Sequence, residues 1–402
     1  MRVLNLDDVV VGSPLGQSLY NDRGDVLAAA GVTLDPPLLG AIRARGYREV
    51  FVEDRQTEGI QIVDPLTPET RNRATKVAGD TILSGDQVAV KLGPDYFRRN
   101  GALPRSDNLR KMVAESVPVD GIFVSASSIV DEVLDAPTML GLNSIKAHDN
   151  FAHGHAVEVA SVAVTIGKKL GLKPPDLKRL GRGALLHDVG QVFTGDTTDG
   201  KTGTTTPADV EQVRKHTRMG YDFLQNVPDL DALANHVAYQ HHEWYNGKGY
   251  PRGLSGTPNV GRDVESLPGQ IILIAQVTAI ADVYDALCSD RPFRQRLPRE
   301  LAMSLIRRMG GQQLHPALIQ TFFEVVPVYP AGYPVRIVGG ALDRWQGVVA
   351  TLGSPDVNRP VVRVFIRPDG TEVDPFEVDL AKDSTARLMT APPRRRAIAA
   401  AG

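Results

Sequence analysis

The chain has 402 residues, and its 45 Lys and Arg residues against 47 Asp and Glu residues give a formal net charge of −2. This balance excludes the strong basic field of a protein that binds duplex nucleic acid or an anionic membrane electrostatically. Hydrophobic residues make up 42% and charged residues 23%, which excludes wholesale disorder. At about 150 residues per domain, the length predicts two or three domains.

Cysteine usage and hydropathy indicate the compartment. Cys288 is the only cysteine, which excludes an intrachain disulfide framework and a cysteine-based zinc site, and fits a reducing environment. The N-terminal residues lack the apolar run of a signal peptide. The most apolar stretch, 271–281, is shorter than the about 20 residues that cross a bilayer. We therefore expect a cytoplasmic protein without a membrane span.

The predicted elements change character along the chain. Strand-like and turn-like pieces around one helical segment predict a small α/β module at 1–53, and the more polar residues 54–105 are interpreted as a connector. Apolar residues at helical spacing predict a helical domain at 106–327. β-rich runs broken by Pro and Gly predict a small β-barrel or sheet of about five strands at 328–390, followed by a disordered tail at 391–402. The expected fold class is therefore mainly α, with small modules at both ends.

Histidine placement indicates where the chemistry lies. All nine histidines fall between His148 and His315, and imidazole is both a common metal ligand and an acid–base group near neutral pH. His187 and Asp188 follow an apolar helix end and precede Gly190. A carboxylate there can bridge two cations, with the imidazole on one of them. For a lone His-Asp pair, however, a surface or helix-capping role is the more common explanation.

Further potential metal ligands on neighbouring predicted helices strengthen the interpretation of His187 and Asp188 as part of a metal site. They are His155, His216, His241, His242 and Asp282. Asp282 lies at the edge of an apolar helix face, where a carboxylate is costly to bury unless it is paired or binds a cation. Six or seven N and O donors without a thiolate favour two ions such as iron or manganese. Two ions about 3.5–4 Å apart would clamp a phosphoryl group and generate a hydroxide.

The run from His241 to Pro251 is a second indication of a binding site. Gly247 and Gly249 let backbone approach a ligand closely, and Tyr250-Pro251 fixes an aromatic ring beside the turn. A surface hairpin turn is the alternative. The position directly after two histidines favours a binding loop.

Together, His187-Asp188, His241-His242-Glu243 and Gly249-Tyr250-Pro251 resemble the HD-GYP family, a branch of the HD metal-dependent phosphohydrolases. The similarity covers about 149–325 and includes the runs 282–287, 289–294 and 311–316. It implies a helical HD-type domain that hydrolyses cyclic di-GMP to the linear dinucleotide or GMP by a metal-bridged hydroxide.

The resemblance also implies roles for individual residues. The metal ligands would be His155, His187, Asp188, His216, His241, His242 and Asp282, with Asp188 bridging the ions. Relatives with a third metal have a glutamate four residues before the first histidine ligand, where this chain has Phe151, so we expect two ions. The catalytic set would be His187, Asp188 and Lys201. The substrate-binding set would be Gln191, Lys201, Gly247, Gly249, Tyr250, Pro251, Arg291 and Arg294.

Four positions depart from the family pattern. Gln191 and Gln276 stand where the family has Lys and Arg, and Trp244 and Asn246 where it prefers Arg and Asp. Gln191, Trp244 and Gln276 remove positive charge from the phosphate region, and guanidinium–phosphate contacts are stronger than neutral ones. The remaining cations there are Lys201, Lys248, Arg291 and Arg294.

Two further hypotheses therefore stay open beside the phosphodiesterase. One is a catalytically weak sensor of cyclic di-GMP, or a module that docks a protein partner through Gly247–Pro251. The other is an HD hydrolase of another nucleotide. Outside the ligand set, Asp285 is interpreted as a capping or pairing group, His236 as a surface or satisfied helix residue, and Cys288 as a packing residue. The terminal modules would serve regulation or homo-oligomer formation.

Overall fold

The computed structural model describes residues 1–20, 25–62, 64–136, 151–195, 206–258, 260, 267–290, 296–353 and 356–392. Helices fill the middle of the chain, which confirms the mainly α fold. In chain order the helices among these residues are α1 (Pro36–Ala44), α2 (Pro68–Leu92), α3 (Pro94–Arg99), α4 (Asp107–Ser116), α5 (Val119–Asp135), α6 (Phe151–Lys169), α7 (Pro174–Leu185), α8 (Pro207–Arg214), α9 (His216–Leu224), α10 (Ala232–Gln240), α11 (Leu273–Cys288), α12 (Arg299–Met309) and α13 (Pro316–Val325).

The strands lie toward the two ends of the chain. They are β1 (Arg2–Asn5), β2 (Leu19–Tyr20), β3 (Val26–Ala28), β4 (Glu49–Val52), β5 (Pro334–Val338), β6 (Gln346–Thr351), β7 (Val361–Ile366), β8 (Glu372–Asp379) and β9 (Arg387–Thr390). In the N-terminal part, β1 pairs antiparallel with β4, and β2 with β3. Asp35 begins α1 by accepting a hydrogen bond from the Leu38 backbone N–H at 2.8 Å.

The core of the molecule surrounds α6 and α11. Ile274, Val277 and Ala281 of α11 are fully buried, as the helical spacing predicts. Gly167 of α6 lies so close to α7 that a Cβ atom there would come within 2.8 Å of the side chains of Leu177 and Leu180. The close contact between α6 and α7 therefore depends on this glycine, and it sets where the residues after α7 lie relative to α6.

Helix α2 belongs to the same core. Its Ala74 and Ala78 are buried in one cluster with residues of α6 and α11. Arg71 of α2 pairs with Asp64 at 2.8 Å and also with Glu158 of α6. Part of the predicted connector 54–105 thus packs on the helical core, while the domain boundaries themselves stay predictions.

The C-terminal β region is an open sheet. Its five strands follow the order β8-β7-β6-β5-β9, and among the described residues β8 and β9 do not pair with each other. The predicted sheet is confirmed and the alternative of a barrel is wrong. Pro375 lies within β8 and has no backbone N–H for a further neighbour, and proline in sheets occurs at edges. An edge strand of this kind does not close a barrel.

No single helix in the described part of the chain is both long enough and apolar enough to cross a membrane. The bent pair α4 and α5, with 57° between the two helices, meets the length and composition requirement only when both are taken together.

Candidate metal centre

Two helices and three helix ends bring the predicted metal-binding residues to one place. His155 and Asp282 lie on α6 and α11, and the other residues follow α7, begin α9 or follow α10: His187, Asp188, His216, His241 and His242. Gly190 explains the approach of the α7 end to α9, because a Cβ atom there would lie 2.0 Å from the carbonyl oxygen of His216. The glycine after the His-Asp pair therefore allows the two helix ends to meet.

The Asp188 carboxylate lies between four imidazoles. Its Oδ1 is 3.4 Å from Nε2 of His216 and 3.5 Å from Nε2 of His241. Its Oδ2 is 3.4 Å from Nε2 of His187 and 3.7 Å from Nε2 of His155. Each carboxylate oxygen thus faces its own pair of ring nitrogens, an arrangement that suits a carboxylate shared by two cations.

The donor atoms form two groups that share Asp188. His155 and His187 belong to one group, and His216, His241 and His242 to the other, with the atoms of each group within 4.8 Å of one another. Asp282 approaches the first group, with its Oδ1 3.3 Å from Nε2 of His155. A set of nitrogen and oxygen donors of this kind could hold divalent metal ions.

Hydrogen bonds to Nδ1 orient the rings. Nδ1 donates to a backbone carbonyl in His187 (Ala184 O, 2.8 Å), in His216 (Val213 O, 2.7 Å) and in His241 (Val237 O, 3.1 Å). A carbonyl oxygen only accepts, so the proton stays on Nδ1 and the Nε2 lone pair points into the centre. These rings are therefore presented as ligands in the tautomer that metal binding requires.

Two buried polar atoms show that the centre suits a cation. Nε2 of His187 and Oδ1 of Asp188 are buried, and neither has a hydrogen-bond partner among the described residues. A buried acceptor without a partner is costly. Divalent ions bound in the two groups would satisfy these atoms, so the donor set fits the metals that the resemblance implies.

Electrostatics keep the carboxylates ionised and several rings neutral. Burial opposes ionisation of Asp188, but the adjacent His187, His241 and His216 outweigh it and hold its pKa well below the usual range. Burial and the charge of His241 lower the pKa of His216 to about 4. Burial also lowers the pKa of His155, yet hydrogen bonds to Asp282 and Asp285 raise it overall to about 9. The centre thus combines anionic carboxylates with a His216 ring that is neutral and a His155 ring that stays protonated near neutral pH.

The loop after α10 closes one side of the centre. The Tyr250 ring stacks on His242 with centroids 4.9 Å apart and planes 27° apart. Gly249 has no room for a side chain, since a Cβ atom would lie 2.2 Å from the backbone nitrogen of Trp244. Glu243 holds the loop by accepting hydrogen bonds from the backbone N–H groups of Arg252 at 2.7 Å and Leu254 at 2.8 Å.

Three of the four side chains that depart from the family pattern form hydrogen bonds within the protein. Nε2 of Gln191 donates to Oδ2 of Asp188 at 2.7 Å. Gln276 is buried, and its Nε2 donates to the Ile271 carbonyl at 3.0 Å. Asn246 donates to Gln312 at 3.1 Å. All three side chains are uncharged amides that form hydrogen bonds within the protein, so none of them supplies a cation to the centre.

Several predicted residues cannot be placed. Lys201, Arg291 and Arg294 lie outside the described residues, as does most of the tail 391–402. Phe151 begins α6, but its side chain also lies outside the description. The expectation of two ions, which depended on Phe151, therefore stays a prediction.

Sequence reasoning missed two contacts at the centre. Oδ2 of Asp285 accepts a hydrogen bond from Nδ1 of His155 at 2.7 Å. The guanidinium of Arg214 lies over the Tyr250 ring, 5.0 Å from its centroid. Asp285 lies one helical turn after Asp282, which is a usable signal, whereas Arg214 is recognisable only once the loop that carries Tyr250 is in place.

Comparison with known proteins agrees with this geometry. Residues 141–318 match the family model of the HD domain. The matched region is therefore an HD domain, and its motifs together with the relatives described next support its assignment to the HD-GYP branch.

The most similar relatives include cyclic dinucleotide phosphodiesterases. A cyclic di-GMP phosphodiesterase of Pseudomonas aeruginosa is 33% identical over 60% of this chain and 55% of its own length. One of Thermotoga maritima is 27% identical over 55% of this chain and 57% of its own. A 3'3'-cGAMP-specific phosphodiesterase of Vibrio cholerae is 29% identical over 43% of this chain and 34% of its own. The chain thus spans little more than half the length of the first two relatives.

Proposed function

We propose that this protein is a metal-dependent phosphodiesterase that hydrolyses cyclic di-GMP. The observation that carries the proposal is the Asp188 carboxylate, which presents one oxygen to each of two groups of imidazoles. The names of the relatives support the substrate, since two of them are cyclic di-GMP phosphodiesterases. Iron or manganese as the metals, and a cytoplasmic location, are part of the same proposal.

Each group of donors would hold one ion. His155, His187 and Asp282 would bind the first, His216, His241 and His242 the second, and Asp188 would bridge them. Divalent ions bound there would supply Lewis acidity toward a phosphate oxygen and lower the pKa of water. The carbonyls that accept from Nδ1 of His187, His216 and His241 keep these rings oriented throughout.

The remaining predicted residues would bind the substrate around the centre. Gly247 and Gly249 let the loop backbone approach it, and Tyr250 would cover the phosphate-binding side beside His242. Gln191, through its hydrogen bond to Asp188, would fix this carboxylate. Lys201, Arg291 and Arg294 are proposed to bind the phosphates, since guanidinium and ammonium groups recognise them strongly.

The test is turnover of cyclic di-GMP by protein purified without oxygen and loaded with iron(II) or manganese(II). We expect the linear dinucleotide or GMP as product, resolved by chromatography, and its loss in His187→Ala and Asp188→Ala. His236→Ala is the matched control, because His236 packs beside Tyr221, with ring centroids 4.9 Å apart, and is not part of the donor groups. Undiminished turnover in both centre variants would disprove the assignment.

One observation favours a second candidate, a receptor with little turnover. Gln191 and Gln276 replace two cations, and both amides are engaged within the protein. Binding of cyclic di-GMP without product, in protein with two metals confirmed, would support this candidate. Docking of a protein partner through Gly247–Pro251 stays a prediction. Because one relative is named a 3'3'-cGAMP-specific phosphodiesterase, the same assay includes that dinucleotide.

A further inference from the structure

Arg214, a cation that the sequence analysis did not include among the substrate-binding residues, lies at the edge of the candidate metal centre. Arg214 is the last residue of α8, two positions before His216. Its guanidinium carbon is 5.0 Å from the Tyr250 ring centroid, and that ring in turn stacks on His242 at 4.9 Å. Arg214, Tyr250 and His242 therefore form a continuous stack that runs from the surface to the donor atoms.

The guanidinium is available for a ligand. About half of the Arg214 side chain is exposed (49%), and its ion pair with Glu211 at 3.6 Å joins two solvent-accessible groups. Pairs of this kind contribute little, because water and salt screen them. The cation–π contact with Tyr250 still restrains the position of the guanidinium, and the exposed half of the side chain is accessible to a ligand.

The substrate creates a need for such a group. A cyclic dinucleotide carries two phosphodiesters, each with one negative charge, and the centre holds one of them at a time. The metal ligands do not bind the second phosphate, so a cation at the edge of the centre would bind it in addition to the proposed Lys201, Arg291 and Arg294. At two family positions that supply positive charge, this chain has Gln191, which donates to Asp188, and Gln276, which is buried against the Ile271 carbonyl.

We propose that Arg214 is a substrate-binding residue that holds the phosphate of the cyclic dinucleotide that is not being cleaved. This inference rests on the proposed function. The planar guanidinium can bind a phosphate through two parallel N–H···O hydrogen bonds, and Tyr250 supplies the face that keeps it in this orientation.

The test compares Arg214→Ala and Arg214→Lys with Lys215→Ala in the manganese-loaded full chain. Lys215 is the adjacent cation, and successive helical residues point about 100° apart. For cyclic di-GMP, we expect Arg214→Ala to raise KM about 10- to 100-fold with kcat nearly unchanged, because a charge-assisted contact made equally in ground and transition states is lost. Arg214→Lys should recover part of the loss, and Lys215→Ala should change KM less than about twofold.

A substrate with one phosphodiester separates the inference from the proposed function. Bis(p-nitrophenyl) phosphate has no second phosphate, so Arg214→Ala should leave its kcat/KM unchanged. An unchanged KM for cyclic di-GMP, or an equal loss on both substrates, would overturn the role of Arg214. Hydrolysis of the one-phosphate substrate by the wild-type protein without any hydrolysis of cyclic di-GMP would instead overturn the proposed function.

Discussion

Asp285 determines how His155 is presented to the centre. Its carboxylate is buried, and Oδ2 accepts the Nδ1 proton of His155 at 2.7 Å. His187, His216 and His241 donate to backbone carbonyls instead. A carboxylate acceptor makes the imidazole more basic than a carbonyl acceptor does, and such partners contribute to metal affinity. Asp285 is therefore a positioning residue for His155.

Asp285→Asn should weaken metal binding while the fold is kept. The amide removes the negative charge behind His155, and loss of such a partner typically lowers metal affinity about 10- to 100-fold. Competition between the protein and a chelator for manganese measures this affinity directly, and circular dichroism checks the helices. Asp176→Asn is the control, because Asp176 pairs with Arg179 at 2.7 Å on α7. Equal manganese affinity in the two variants would contradict the role of Asp285.

Helix α13 begins with a histidine that acts as its cap. Nδ1 of His315 accepts from the Ala317 backbone N–H at 3.2 Å, while Nε2 donates to the Thr257 carbonyl at 2.8 Å. Both contacts require the neutral ring with its proton on Nε2. Burial lowers the pKa of His315, although the hydrogen bond to Thr257 opposes this. The start of α13 is thus sensitive to protonation of one side chain.

The contribution of His315 to the free energy of unfolding should therefore fall as the pH drops below about 6.5. His315 has a lower pKa folded than unfolded, so the unfolded state binds more protons there, and the stability present above the unfolded pKa is lost in acid. His315→Asn keeps a capping side chain that does not titrate. Between pH 8 and pH 5.5, the free energy of unfolding measured in urea should fall by about 0.5–1 kcal/mol less in His315→Asn than in the wild-type protein. An identical fall in the two proteins would refute His315 as the source of this pH dependence.

Helix ends are also where the sequence was most informative. His187, Asp188, His241 and His242 were recognisable because histidine and aspartate are common metal ligands, because they follow apolar helices directly, and because they occur together in one ordered set of motifs. The contact between His155 and Asp285 was not recognisable from the sequence, because it depends on how α6 and α11 pack against each other. Strand patterns in the sequence permit either a barrel or an open sheet. Which one forms depends on the position of β8, the edge strand that contains Pro375, and the sequence pattern does not give this position.

At the scale of the whole molecule, the N-terminal module is attached to the segment that follows α11. Arg296 donates to Glu49 of β4 at 2.8 Å, and Arg48 lies 3.6 Å from Asp290. The Arg296 backbone N–H also donates to Asp290 at 3.0 Å. These contacts hold the two residues that flank 291–295, the segment that contains the predicted phosphate-binding Arg291 and Arg294. The N-terminal module thus constrains both ends of this segment.

The pairing of Glu49 with Arg296 should contribute measurably to stability, because the Glu49 side chain is only 12% exposed and the geometry is bidentate. Arg296 is 38% exposed, so screening limits the expected coupling energy to about 1–2 kcal/mol. A double-mutant cycle with Glu49→Ala and Arg296→Ala, followed by urea unfolding, measures it. Asp7 and Arg43 form the control pair, since they are 86% and 59% exposed and should couple by less than about 0.5 kcal/mol. If the two cycles give the same coupling energy, the Glu49–Arg296 pair is an ordinary surface contact, and the N-terminal module does not hold the 290–296 segment through it.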